Sequence, residues 1–585
     1  MVIKIGFHIS LAVFVFLLGQ NIFAEEAPPL PVGYVKDITE TTPIGPVTGF
    51  VAKLSDDFNA DIFLGIPFAQ PPIEDLRFEK PEPVIPWSSP LLAQKFPPAC
   101  WPHHLSGLPI SMFSDDCLYL NIFRPHDNTT RPSSGWPVLV WVHGGGYVVG
   151  ATFMYGYQNI SLNFATQGLI VVTIQYRLAF SGFSSTGDSE MPGNLGYWDQ
   201  TEAFKFLKQN IANFGGDPKK IVAFGLSAGG GSTAALSMSP HSRDYISSSI
   251  EMSGSVYANW ASSDMVVAVT KQVAREIGCP ETSAELKKCY QKTKPEKFLE
   301  AIERIGPARR DINLVKYNPR IDGDFFPKDF TELIKEFPPK PALIGFTDQE
   351  AGYFTIMGLS KTLNQIYIPK EQFKFYGREN FTNFVEFVLA PKSVFNSKAK
   401  EVQQKIIQFY LGKDKMEHKY DYYLLKYTDM LSDILFNIPA LWGAREKVEA
   451  NWPVYLYMND YFNKDMFGDD IPVKGSMHAN EYPYMFGIFA ISNFEFNDDD
   501  YKTQKVIIDS IVAFTKNSNP STPSLKWPQL TAEKPFQSIL INANPKLMPA
   551  IFSERLQFWD DLCETYDFNI IRGIYKKSGK SKDEL

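Results

Sequence analysis

Histidine and cysteine are both scarce in this chain, with eight and five residues in a sequence of 585. So few imidazoles shorten the search for a general base to a handful of positions. No long basic run occurs and the net charge is −8, which leaves out the electrostatic footprint of a nucleic-acid-binding protein. Beyond the N-terminus no stretch approaches twenty uninterrupted apolar residues, so no membrane span is expected in the mature chain. No internal repeat is present. Aromatic residues, by contrast, are plentiful at 14%, and they suit either a large aromatic core or an aromatic-lined pocket.

The two ends carry addresses. Residues 1–24 read as a secretory signal peptide, with Lys4 in the n-region, a short apolar h-region over residues 9–18 and Ala24 before the cut. The last four residues, Lys582-Asp583-Glu584-Leu585, spell the signal by which a receptor returns soluble proteins to the endoplasmic reticulum. The expected organisation is a signal peptide (1–24), one large domain (25–575) and a flexible tail ending in KDEL (576–585), in the ER lumen. An oxidising compartment suits disulfides. Cys100 and Cys117 flank one short loop and Cys279 and Cys289 another, which allows two local bridges and leaves Cys563 over. Asn128, Asn159 and Asn380 each open an N-x-[ST] glycosylation sequon.

Continuous apolar runs at strand length mark strands buried on both faces. They occur at residues 137–142 (PVLVWV), 169–174 (LIVVTI), 221–226 (IVAFGL), 341–346 and 452–458, with a Ser-rich sixth at 246–252. Residues 201–214 read as a helix with Ala203, Phe204, Leu207 and Ile211 on one face. Residues 63–78 hold three prolines and read as an ordered surface wrap rather than a central strand. Strands alternating with helices imply a mostly parallel sheet covered on both sides, with ligands at the carboxyl ends of its strands. Residues 359–427 break the alternation and read as a largely helical insertion.

One strand runs into Gly225-Leu226-Ser227-Ala228-Gly229, a G-x-S-x-G. A serine on a sharp strand-to-helix turn stands clear of the backbone, beside a helix N-terminus that favours negative charge. Such a nucleophile needs an acid and then a histidine later in the chain. His241, His418 and His478 follow Ser227. His241 precedes any acid-bearing strand and His418 sits in a charged helical stretch, which leaves His478, in a loop past the strand at 452–458. Behind the strand at 341–346 stand two candidate acids, Asp348 and Glu350. His143 precedes three glycines, Gly144, Gly145 and Gly146, whose N–H groups, with that of Ala228, suit an oxyanion hole.

These motifs together resemble the carboxylesterase/cholinesterase (type B esterase) family of α/β-hydrolases, from about residue 46 to residue 562. FLGIPFAQPP at Phe63, DDCLYLNIF at Asp115, WVHGGGYVVG at Trp141, GNLGYWDQ at Gly193, EMSGS at Glu251, DQEAGYF at Asp348 and HANEYPYMFG at His478 carry the likeness. The resemblance implies an α/β-hydrolase fold, a large mostly parallel central sheet flanked by helices with helical insertions, and no cofactor or metal. It implies Ser227 as nucleophile, Glu350 rather than Asp348 as acid, His478 as base, and Gly145, Gly146 and Ala228 as the oxyanion hole. Ser253 matches a serine that supports the triad, Arg77 and Asp115 an ion pair, and Cys100–Cys117 and Cys279–Cys289 the two local disulfides. Leu226 stands where many relatives have Glu, Ala351 where Gly is usual, and no Trp sits where cholinesterases bind choline. The activity implied is hydrolysis of neutral carboxylic esters through an acyl-enzyme. A neutral lipase of the same family, or a non-catalytic esterase-like binding protein, are the other readings.

Overall fold

The alternation of side chains along a strand explains how the molecule is layered. In the strand Trp136–Val142, Val138, Val140 and Val142 enter one hydrophobic core while Leu139 and Trp141 enter another on the opposite face. A computed structural model describes residues 30–105, 107–306, 312–359, 365–413 and 416–576. The expected signal peptide and the KDEL end lie outside the described residues.

Thirteen strands form one sheet among those residues: β1 (Tyr34–Thr42), β2 (Gly45–Lys53), β3 (Asn59–Pro67), β4 (Leu91–Leu92), β5 (Tyr119–Pro125), β6 (Trp136–Val142), β7 (Ile170–Ile174), β8 (Gly216–Leu226), β9 (Ser248–Met252), β10 (Ala342–Thr347), β11 (Val454–Asn459), β12 (Ser538–Ile541) and β13 (Lys546–Met548). The spatial order is β1-β2-β3-β5-β7-β6-β8-β9-β10-β11-β12-β13, with β4 beside β2. From β7 through β6 to β12 every neighbouring pair is parallel. The other strands pair antiparallel, except β4, which runs parallel to β2. This is the α/β-hydrolase architecture. Helices Leu195–Asn210, Ala228–Met238 and Ile438–Glu449 cover one face, and helix Asp498–Asn517 covers the other through Ile507, Ile508 and Ile511.

The six apolar runs all lie in strands of the sheet, β6 to β11. The helix expected at 201–214 begins earlier, at Leu195, and tightens into a 3₁₀ turn over Ile211–Phe214 before Gly215 takes a left-handed conformation (φ 83°). One expectation needs correction. Residues 63–67 are not surface wrap: they complete β3, which pairs with both β2 and β5 and buries Phe63 fully. The prolines that suggested otherwise begin at Pro67, where the strand ends.

The local staples are where the resemblance put them. Cys100–Cys117 and Cys279–Cys289 are bonded, and Cys563 is free and buried, its thiol pushed up to about 12 chiefly by burial. Arg77 Nε lies 3.3 Å from Asp115 Oδ2. The insertion is helical, with Arg378–Phe384, Ala399–Leu411 and Tyr420–Ser432 as its main helices.

Candidate active site

Ser227 occupies the turn between β8 and the helix Ala228–Met238, with φ 63° and ψ −125°. A non-glycine residue held there stores about 1–3 kcal/mol of strain, which only a well-determined surrounding can enforce. The surrounding is tight. A Cβ on Gly229 would lie 2.0 Å from the carbonyl oxygen of Val142, so the helix can start this close to β6 only with glycine there. The Ser227 N–H donates to Met252 O at 2.8 Å, tying the turn to the end of β9. Ala228 and Leu226 are buried, whereas Ser227 keeps part of its surface accessible.

The glycine loop after β6 presses on this turn. A Cβ on Gly144 would come within 3.1 Å of the Ser227 Cβ. Gly145 (φ 110°) and Gly146 (φ 62°) adopt backbone conformations open to glycine. Their N–H groups and that of Ala228, at the helix N-terminus, belong to the two segments that meet at Ser227. His143 is fully enclosed, stacked on Tyr176 at 4.5 Å, with Nδ1 2.9 Å from Gly144 O. Burial pulls it down to about 4, so it is a neutral structural imidazole.

The acid and the histidine come from the neighbouring strand ends. Glu350, in the loop after β10, has no exposed surface. Its Oε1 accepts the Ser253 hydroxyl at 2.6 Å and the Thr347 N–H at 2.8 Å, and its Oε2 lies 2.6 Å from His478 Nδ1. That carboxylate fixes the ring proton on Nδ1 and leaves Nε2 as an acceptor. Phe436, Phe354 and Tyr353 surround the imidazole at 4.6, 5.3 and 5.9 Å between centroids. Ala351 fits without distortion, buried at φ −72° with its N–H on Ser432 Oγ (2.9 Å), so the missing glycine does not disturb the acid.

The rival residues are engaged elsewhere. Asp348 Oδ1 accepts the Ser476 N–H at 2.8 Å, not the imidazole. His241 is exposed with Nε2 3.1 Å from Asp324 O, and His418 stacks on Tyr422 at 3.9 Å. Among the described residues no group of three or more His, Cys, Asp or Glu is placed to hold a metal.

Three participants escaped the sequence. The helical insertion runs on past its expected end at residue 427: Ser432 reaches Ala351 from its last helix, and Phe436 follows in the next turn. Glu481, three residues after His478, is a buried carboxyl pushed up to about 8, first by burial and then by the charge of Glu350. It therefore holds its proton at neutral pH and leaves Glu350 as the carboxylate facing the imidazole. Its place inside HANEYPYMFG was the available signal; its burial was not.

Known proteins similar to this chain are esterases and hydrolases by name. The chain is 36% identical to gut esterase 1 of Caenorhabditis elegans, covering 90% of this chain and 94% of that protein. It is 31% identical to liver carboxylesterase 1 of Oryctolagus cuniculus, over 86% of this chain and 89% of that one. It is also 31% identical to acylcarnitine hydrolase of Mus musculus, over 95% and 94%. The sequence model described as "Carboxylesterase family" matches residues 36–559, and the chain belongs to that family.

Proposed function

We propose that this carboxylesterase-family protein is a serine esterase of the ER lumen that hydrolyses neutral carboxylic esters through an acyl-enzyme. The observation that carries the reading is the buried 2.6 Å bond between Glu350 and His478, at the carboxyl ends of the central strands where Ser227 stands. Ser227 Oγ attacks the ester carbonyl as His478 Nε2 takes its proton. Glu350 stays ionised beside the imidazolium, and the N–H groups of Gly145, Gly146 and Ala228 receive the oxyanion. His478 then gives the proton to the departing alcohol, and water activated by the same base releases the acid. No step calls for a metal or cofactor.

A neutral, apolar substrate suits the lining. The aromatic rings of Tyr353, Phe354 and Phe436 stand around His478, and Leu226, buried and apolar, occupies the position before the nucleophile. Residence in the ER rests on the two terminal signals. Among the described residues no helix is long and apolar enough to cross a membrane.

An organophosphate should label the protein at one site, Ser227, and Ser227→Ala should abolish labelling and lower kcat on the order of a million-fold without unfolding the chain. Undiminished turnover by Ser227→Ala would overturn the mechanism. Deleting residues 582–585 should release active enzyme into the medium, and equal retention of both forms would refute the location.

A further inference from the structure

Beyond the Glu350–His478 bond itself, the loop that carries His478 is fastened through its backbone to the loop that carries Glu350 at three points. Gln349 N–H donates to Ser476 O at 3.0 Å and His478 N–H donates to Glu350 O at 3.3 Å. The third is the only one made by a side chain: Ser476 N–H donates to Asp348 Oδ1 at 2.8 Å. There is no slack between the loops. A Cβ on Gly475 would meet the Gln349 side chain at 2.4 Å and Asp348 Oδ1 at 3.3 Å. Asp348 is itself pinned, since its N–H donates to Asn459 O at the end of β11 (3.1 Å). The carboxylate thus extends from the joined ends of β10 and β11 and grips the backbone two residues before the histidine.

This carboxylate is costly where it stands. It is half-buried, and no ion pair reaches it among the described residues. The titratable groups acting on it are both acidic: Asp460, just after β11, and Asp429, on the helix Tyr420–Ser432. Lys426 (3.4 Å) and Arg555 (3.5 Å) pair with Asp429 rather than with Asp348. Asp460 accepts from Asn542 Nδ2 at 2.9 Å. Glu350, two residues on, is turned to the imidazole. Burial first, and then Asp460 and Asp429, push Asp348 up to about 7. An asparagine would accept the same N–H without that cost. A charge kept at an unfavourable place, on a bond that holds a mechanistic loop, points to use rather than stability.

We propose that Asp348 is a positioning residue whose negative charge clamps the His478 loop onto the Glu350 loop and so holds the imidazole in register with Ser227. The proposal rests on the reading of Glu350 and His478 given above. A carboxylate accepts an N–H about twice as strongly as a neutral oxygen does. The clamp is therefore tight when Asp348 is ionised, and it loosens as pH falls through about 7.

The test is the ratio of kcat for wild type to kcat for Asp348→Asn, measured from pH 5.5 to 9 with a soluble aryl ester. Everything the two proteins share cancels, so the ratio isolates Asp348. We expect about unity at pH 5.5, where both side chains are neutral, rising to about fivefold above pH 8, with KM changed less than about twofold. Asp348→Ala, which loses the acceptor as well, should be about tenfold slower than wild type above pH 8 and about twofold slower than Asp348→Asn at every pH. Melting temperature supplies a second readout. Between about 4 and 7 the native chain keeps a proton that the unfolded chain has lost, so wild-type stability falls as pH rises through that window. Asp348→Asn lacks this loss and should melt above wild type at pH 8 but not at pH 4. A kcat ratio independent of pH would overturn the clamp. The labelling of Ser227 would be untouched by that result, so the two readings fail separately.

Discussion

Replacing Glu350 by glutamine should cost about 10³- to 10⁴-fold in kcat while the fold stands, and the atoms around the carboxylate say why. Oε1 accepts from the Thr347 N–H at 2.8 Å and the Ser253 hydroxyl at 2.6 Å, and Oε2 faces His478 Nδ1 at 2.6 Å. A backbone N–H can only donate. The amide oxygen of glutamine must therefore take the Thr347 side, which sends the amide NH₂ toward His478. Nδ1 then has to accept, the ring proton moves to Nε2, and the atom that should receive the Ser227 proton is already protonated. In a serine protease triad the corresponding wrong tautomer costs about 10⁴-fold, or roughly 5.4 kcal/mol at 1.36 kcal/mol per tenfold. The escape route is to flip the amide. That leaves a buried N–H facing an NH₂ group, at about 1–3 kcal/mol, and the imidazolium still lacks its counter-charge. The clash alone is worth about 5- to 160-fold at 1.36 kcal/mol per tenfold, and the lost counter-charge supplies the rest of the lower bound of about 10³.

The assay is steady-state turnover of an aryl ester at pH 8, alongside circular dichroism and melting. Glutamine is isosteric and neutral, and it removes a buried charge, so no loss of folding is expected. Asp348→Asn, two residues away, should cost no more than about fivefold under the same conditions. If Glu350→Gln kept more than a tenth of the wild-type rate, or if Asp348→Asn proved the more damaging of the two, the acid would have been assigned to the wrong residue.

Two further outcomes follow from other parts of the molecule. All three sequon asparagines are exposed, yet peptide mapping of the secretory form should find glycans on Asn128 and Asn380 and none on Asn159. Asn159 Nδ2, the atom a glycan would occupy, donates to Phe486 O at 3.0 Å and lies 2.2 Å from where a Gly487 Cβ would sit; a glycan there would refute this packing. Butyrylcholine should show lower kcat/KM than its uncharged isostere 3,3-dimethylbutyl butyrate. Leu226 offers no carboxylate beside the nucleophile, and a cation–π contact with Tyr353 or Phe354 alone is worth only about 0.5–2 kcal/mol; preference for the charged ester would sink the expectation.

What could be read in the sequence was what is written locally. Ser227 was legible because a nucleophile turn is a contiguous motif, and β6, β7, β8, β10 and β11 because parallel strands buried on both faces are continuous apolar runs. β1 was not, because an antiparallel strand with one wet side alternates, and its YVKDITETT mixes exposed charge with half-buried Ile38. The choice between Asp348 and Glu350 was open for a geometric reason. Both follow the same strand, and only the packed loop shows one carboxylate turned to the imidazole and the other to the Ser476 backbone. Phe436 and Ser432 come from an insertion some eighty residues beyond the acid, and nothing local announces that they return to it. Glu481 illustrates the same limit, since a carboxyl's burial is a property of everything around it.

The site gathers strain as well as charge. Ser227, Ser253 and Ala479 are non-glycine residues at φ 63°, 48° and 66°: the nucleophile, the hydroxyl that donates to Glu350, and the neighbour of His478. At about 1–3 kcal/mol each, they store on the order of 3–9 kcal/mol, comparable with the whole net stability of an ordinary domain. Buried Glu350 and Glu481 and the unpaired Asp348 add to that cost. Such a concentration survives only where neighbouring backbone is held on both sides, and the ends of β8, β9 and β10 are held so, by a fully apolar core on either face of the sheet. Loosening therefore begins not at the strands but at the bonds between loops, and of the three bonds that fasten the histidine-loop backbone to the acid loop the one from Asp348 is the only one that a change of pH can weaken.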